Sequence, residues 1–338
     1  MLRSMYSGIS GLRNSQTKLD VVGNNIANVN TYGFKKGRIT FKDMVSQNMA
    51  GATGSSIVMD TNNRGVGGTN PRQVGLGAQI ASIDTIATQG NLQTTNRTLD
   101  LGISGDGYFT VYDGSGTPFY TRAGNFYLDA DGNLVSSEGY SLIGQMYIAV
   151  PQNVGDVPSG EVPAGVPSAN PTVQPGQNGG AVDPQDRKLF IPSEVTHIQK
   201  RDPQTGAITY TKVQAPATNP KLKSFSIGQD GTINAIYEGD IQPRVIGQIQ
   251  LTKFANAEGL EKVGGNLYTV SANSGEPQEL WPRSGGSGSV VSGTLEMSNV
   301  DLSEEFTEMI VGQRSFQANS RIITTSDEIL QELVNLKR

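Results

Sequence analysis

No cysteine occurs among the 338 residues, which excludes disulfides and thiolate metal sites. A single histidine, His197, removes the commonest partner for nucleophilic, acid–base or zinc chemistry. Catalysis loses most of its usual tools, and no metal, cofactor or small-molecule substrate is expected. No stretch approaches the roughly 18 apolar residues of a membrane span. Dense Lys/Arg clusters with interleaved aromatics are missing and the formal net charge is −5, which argues against a nucleic-acid partner. The opening Met1-Leu2-Arg3-Ser4 lacks a charged region followed by an apolar core, so general pathways alone predict a cytosolic protein.

What the chain does carry is a matched helical pattern at its two ends. Met5, Leu12, Leu19 and Ile26 recur every seven residues, with Ile9 and Val22 on the same face, which predicts an amphipathic helix over about residues 3–28. Near the other end Leu302, Met309, Phe316, Ile323 and Leu330 share one heptad position, supported by Phe306, Ile310 and Val334. Asp301 and Glu304 stand at capping-box spacing, Glu305 and Glu308 follow, and Lys337 and Arg338 suit the dipole at the far end. Such helices would be rods of about 40 and 50 Å, long for a small globular core. Residues 1–42 hold seven Lys or Arg against one Asp, whereas residues 301–338 hold seven acids against four bases, so the ends attract. Gln16, Gln313, Ser320 and Asp327 interrupt the apolar seam. We therefore expect helices loosely ordered in the monomer that gain their burial from neighbouring copies; an intramolecular helix hairpin is the other reading. The assembly core would be Met5, Leu12, Leu19, Ile26, Leu302, Phe306, Met309, Phe316, Ile323 and Leu330.

Between the ends the period changes to two. The expected fold is α+β: paired terminal helices (1–30 with 300–338, coiled-coil-like) bracketing an antiparallel β domain at 80–144 and 221–299. Leu99–Ser104, Tyr108–Tyr112 and Asn133–Ser136, then Ser224–Ile233 and Val245–Phe254, read as strands separated by Asp/Gly turns. Residues 31–79 read as a Gly/Asn-rich extended connector, and 284–289 (SGGSGS) as a flexible join. Residues 145–220 read as an inserted outer module, since eleven of the sixteen prolines fall within 151–220.

Sharper sites are weak. Asp129-Ala130-Asp131-Gly132-Asn133 opens like a calcium loop, but no acid follows at the completing position, and Asp-Gly after a strand is ordinary hairpin chemistry. The glycines of Gly65–Gly68 and Gly75–Gly77 lack phosphate-loop context, and Lys35, Lys36 and Arg38 are expected to form a solvated or intersubunit charge patch rather than a nucleic-acid site. A secreted β-rich hydrolase using Asp129 and Asp131 is the one enzymatic alternative.

Ser7–Leu12 (SGISGL) with Leu19–Lys35 (LDVVGNNIANVNTYGFK), and Asn299–Thr325 (NVDLSEEFTEMIVGQRSFQANSRIITT), resemble the terminal signatures of the bacterial flagellar rod and hook axial proteins. Gly105–Phe109 (GDGYF), Tyr120–Phe126 (YTRAGNF) and Leu134–Tyr140 (LVSSEGY) resemble their shared β core. The resemblance covers all but roughly residues 145–220 and leans to the hook branch, with the distal rod as alternative. It implies a non-enzymatic subunit of a hollow homopolymeric tube, exported unfolded through the flagellar type III apparatus. It further implies assembly beneath a hook cap, neighbours in the rod and at the hook–filament junction, and a place in the extracellular flagellum that overturns the cytosolic reading.

Overall fold

Both heptad-patterned ends are helical in the computed structural model, which describes residues 2–54, 67–146, 187–193, 197–201, 208–212, 221–238 and 243–336. Helix α1 spans Leu2–Ala27 and α2 spans Leu302–Leu336. The Asn-rich run closes α1, where the Asn28 side-chain amide donates to the Asn24 carbonyl at 2.9 Å. At the start of α2 the Asp301 carboxylate accepts the Ser303 N–H at 2.8 Å, but Glu304 does not complete a capping box. Its carboxylate lies 2.7 Å from Lys36 Nζ instead.

The chain divides into two units, Met1–Val29 with Lys36–Ile86 and Val300–Arg338, and Asn30–Lys35 with Ala87–Asn299. In the first, helical unit, α1 and α2 pair antiparallel. The helices thus meet within one chain, where small side chains let their backbones approach. The stretch read as an extended connector is a two-stranded ribbon. Gly37–Asp43 pairs with Ala78–Thr85 and Ser46–Ala50 with Arg72–Gly75, while residues 55–66 lie outside the described residues. Asn25 ties the ribbon to α1, donating to the Gly37 carbonyl and accepting its N–H, both at 2.9 Å.

The second, β unit is built from antiparallel sheets. Nine strands form the largest, with Tyr108–Tyr112 at its centre, pairing Pro118–Thr121, Ser141–Leu142 and Leu251–Lys253. A four-stranded sheet runs Gly144–Met146, Arg244–Ile249, Thr232–Tyr237, Leu222–Ile227. Leu101, Ile103, Phe109, Phe126 and Ile246 fill the core between them. Two expectations are corrected here. Residues 284–289 are no flexible join: Gly285 and Gly286 hold positive φ, and Ser287 donates to the Trp281 and Ser284 carbonyls. Nor is the whole of 145–220 a separate module. Most of it lies outside the described residues, but Leu189 and Ile191 sit fully inside the core, and Leu189 N–H donates to the Leu142 carbonyl at 3.0 Å.

A second cluster packs Tyr108, Tyr120 and Tyr268 edge-on around Phe254 and one another. Burial disfavours the phenolates, lifting Tyr108, raising Tyr120 to about 12 and Tyr268 further. The unfolded chain releases these protons near 10.0, so their contribution to stability is intact below that pH and is lost as pH rises through the folded values. Alkaline titration followed by phenolate absorbance and circular dichroism should show these rings ionising together with unfolding. Ionisation near pH 10 in a chain that stays folded would contradict their burial.

Candidate assembly surface

The contact between α1 and α2 is made by small and polar residues. The Ser4 and Ser326 hydroxyls are 3.5 Å apart, and Ser15 donates to Ser315 at 3.3 Å. A Cβ on Gly11 would lie 2.6 Å from Asn319 Nδ2, one on Gly8 3.3 Å from Ile323, and one on Gly312 3.0 Å from Leu19. Further along, Asn25 donates to the buried Glu305 carboxylate at 3.1 Å, and Lys18 pairs with Glu308 at the surface. Gly8, Ser15 and Val22 are buried at a seven-residue step, and Glu305, Gly312 and Ser326 fall on the same repeat, with half-buried Asn319 between the last two. Sequence reasoning followed the apolar heptad and missed this one, although the same spacing was present in glycine and serine.

Where, then, do the predicted apolar residues lie? Met5, Leu12, Leu19, Ile26, Met309, Ile323 and Leu330 are half-buried along the flanks of the seam, and none is fully enclosed. Leu302, Phe306 and Phe316 are exposed, the two rings at 49% and 40%. Tyr6, Ile310, Val311, Ile322 and Leu333 add to the open apolar surface of the helices. The ribbon adds more: Ile39 faces Ile83 and Phe41 faces Ile80 across the strands, and Ile83, Phe41 and Ile80 are exposed.

The two units differ sharply in this respect. Among the described residues, Val22 is the one large apolar side chain buried in the helical unit, whereas the β unit has a continuous core. All but five of the exposed large apolar side chains belong to the helical unit. A two-stranded ribbon and a polar-seamed helix pair gain little from burial on their own. An exposed apolar surface this extensive is characteristic of interaction sites.

Asp129 and Asp131, the carboxylates of the enzymatic alternative, sit exposed in the hairpin turn between Tyr127–Leu128 and Leu134–Val135. Asp129 caps that turn by accepting the Ala130 N–H at 2.7 Å. The described residues contain no group of three or more potential metal ligands.

Comparison with known proteins accounts for the same segments. Family models match at both ends and in the β unit: "Flagella basal body rod protein" over residues 5–35, "Flagellar hook protein FlgE/F/G D1 domain" over 102–162, and "Flagellar basal body rod FlgEFG protein C-terminal" over 291–336. The chain is 47% identical over 340 residues to the flagellar basal-body rod protein FlgG of Bacillus subtilis, covering all of both chains. It is 35% identical over 450 residues to the flagellar hook protein FlgE of Borreliella burgdorferi, again covering both completely. To the hook protein of Salmonella typhimurium it is 30% identical over 427 residues, with 99% of this chain and all of the relative covered. Matched from its first helix to its last, the chain belongs to the flagellar rod and hook protein family, whose members are structural proteins of the bacterial flagellum.

Proposed function

We propose that this chain is the subunit of a helical homopolymer of the distal rod, a hollow shaft that carries torque without catalysing any reaction. The observation that carries the polymer reading is the helical unit, whose large apolar side chains, Val22 apart, are half-buried or exposed among the described residues. Copies packed around α1 and α2 would bury them, and the predicted core residues from Met5 to Leu330 would complete their burial between subunits rather than within one.

Length favours rod over hook. The rod relative aligns over 340 residues, essentially the 338 of this chain, whereas the hook relatives need 450 and 427 and so carry segments this chain lacks. A hook subunit is the second reading, favoured by the full coverage of those same relatives. In either case the neighbours would be other axial proteins, a cap during growth and the type III apparatus that exports the chain.

Electron cryo-microscopy of hook–basal bodies, with an antibody against an epitope tag on this chain, separates the two. Label on a straight segment within the envelope supports the rod reading. Label on a curved segment outside it transfers the chain to the hook, and label absent from both removes the polymer reading.

A further inference from the structure

The chain passes between its two units four times, after Val29, Lys35, Ile86 and Asn299. Within the β unit, residues beside three of those passages meet at one carboxylate. Lys35 Nζ lies 2.6 Å from Glu296 Oε1 and donates to the Thr88 carbonyl at 2.7 Å. Gly90 N–H donates to the same Oε1 at 2.9 Å, and Gly33 N–H to the Glu296 carbonyl at 2.8 Å. Asn299 Nδ2 donates to the Thr88 carbonyl at 3.2 Å. Arg122 holds the other oxygen, with Nη1 3.0 Å from Oε2, donates through Nη2 to the Gly105 carbonyl at 2.8 Å, and stacks over Tyr108.

The side chains of Glu296, Lys35 and Arg122 are 0%, 1% and 4% exposed. Two cations share one anion, and Arg122 Nε is buried without a partner. Desolvation pulls the Lys35 ammonium below its ordinary value despite the carboxylate beside it. Such a group is tolerable only while Glu296 is in place, because taking one partner from a buried ionic cluster leaves uncompensated charge. Lys35 and Glu296 are brought together from distant parts of the sequence, so until residue 296 docks, the Lys35 ammonium and the Gly90 N–H lack the carboxylate that joins them.

We propose that Glu296 is a closing latch: its carboxylate gathers the segments beside Lys35, Thr88 and Asn299 into one node, so that they lock and release together, and only once the far end of the β unit has arrived. Three segments of the β unit held at one carboxylate open together rather than one by one. This holds for a rod or a hook subunit alike, since it depends only on contacts inside the β unit. The chain therefore cannot finish its β unit before nearly all of its sequence is available.

Hydrogen-exchange mass spectrometry on the full chain tests this, comparing the parent with Glu296→Gln, Lys35→Met and the double variant. In Glu296→Gln, peptides covering 31–36, 87–91 and 295–299 should exchange faster by a common factor, on the order of a hundredfold. Strands Leu222–Ile227 and Thr232–Tyr237 should keep their parent protection. The double variant, which removes one of the two cations left uncompensated, should recover part of the loss. Acceleration in one of the three segments alone, or equal acceleration in the 222–237 hairpin, overturns the latch. If Glu296→Gln does not fold, Lys35→Met decides: it keeps the Arg122 pair, and faster exchange of 31–36, 87–91 and 295–299 by a common factor supports the latch, whereas acceleration confined to 31–36 and 87–91, or parent rates throughout, overturns it.

Discussion

Phe316→Asp is expected to abolish polymerisation while leaving the isolated chain folded. Phe316 is 40% exposed in the single subunit, so the substitution costs that state little, within the range of ordinary surface changes. If neighbouring copies cover this face, an unpaired carboxylate would be buried in every subunit of the polymer, at about 3 kcal/mol or more. That raises the concentration needed for assembly on the order of a hundredfold. Sedimentation across a concentration series, alongside a thermal melt of the monomer, reads both halves. Polymer formed at the parent concentration would remove Phe316 from the contact. Leu19→Asp is a different experiment, although both positions belong to the same predicted face. Leu19 fills the space opposite Gly312, so a charge there damages the helix pair itself.

Gly124→Ala should destabilise the β unit severely. A Cβ at this position would overlap the carbonyl oxygen of Leu101, a fully buried core residue whose own N–H donates to the Gly124 carbonyl at 2.9 Å. Neither neighbour is a side chain that can swing aside, so the two backbones must part and give up that hydrogen bond. A loss of about 3–5 kcal/mol is expected, a large share of what a domain this size has to spare. Gly114→Ala is the control, since nothing lies within 4 Å of its Cβ position. Denaturant unfolding followed by the single tryptophan, Trp281, compares them. Equal midpoints would mean that the close approach at Gly124 is wrong.

The sequence carried different parts of this fold with different clarity. Both long helices were legible because apolar residues at a sustained seven-residue step, as from Leu302 to Leu330, line up on one side of a helix and on no other regular backbone. Hairpins announced themselves through their turns, as Asp230-Gly231 does between Leu222–Ile227 and Thr232–Tyr237. The ribbon was partly hidden, since Ser46–Ala50 is wholly exposed and shows no alternation of apolar and polar residues. Composition also misled at residues 284–289, because glycine serves a tight hydrogen-bonded turn as readily as a flexible link. In the helix pair, hydrophobicity pointed to residues half-buried or exposed beside the seam, while the fully buried contact positions included Gly8, Ser15, Gly312 and Ser326, with Leu19 and Ile323 lying against two of these glycines. The Glu296 cluster left no trace in the sequence. One acid between Leu295 and Met297 reads as the solvent face of a strand, and its partners lie far along the chain.

The small-residue seam also bears on register. Its buried positions fall on a seven-residue repeat, with half-buried Asn319 filling the gap between Gly312 and Ser326 on α2, so sliding α2 along α1 by one repeat, about 10 Å, would bring Gly312 opposite Gly11 in place of Asn319. The close approach at Gly11 therefore does not by itself choose between alignments. Asn25, which reaches both the Glu305 carboxylate and the Gly37 backbone, has no equivalent one repeat away on α1, where Lys18 stands instead. The costly polar pair works as the index mark on an otherwise smooth rail, fixing how far one helix extends past the other.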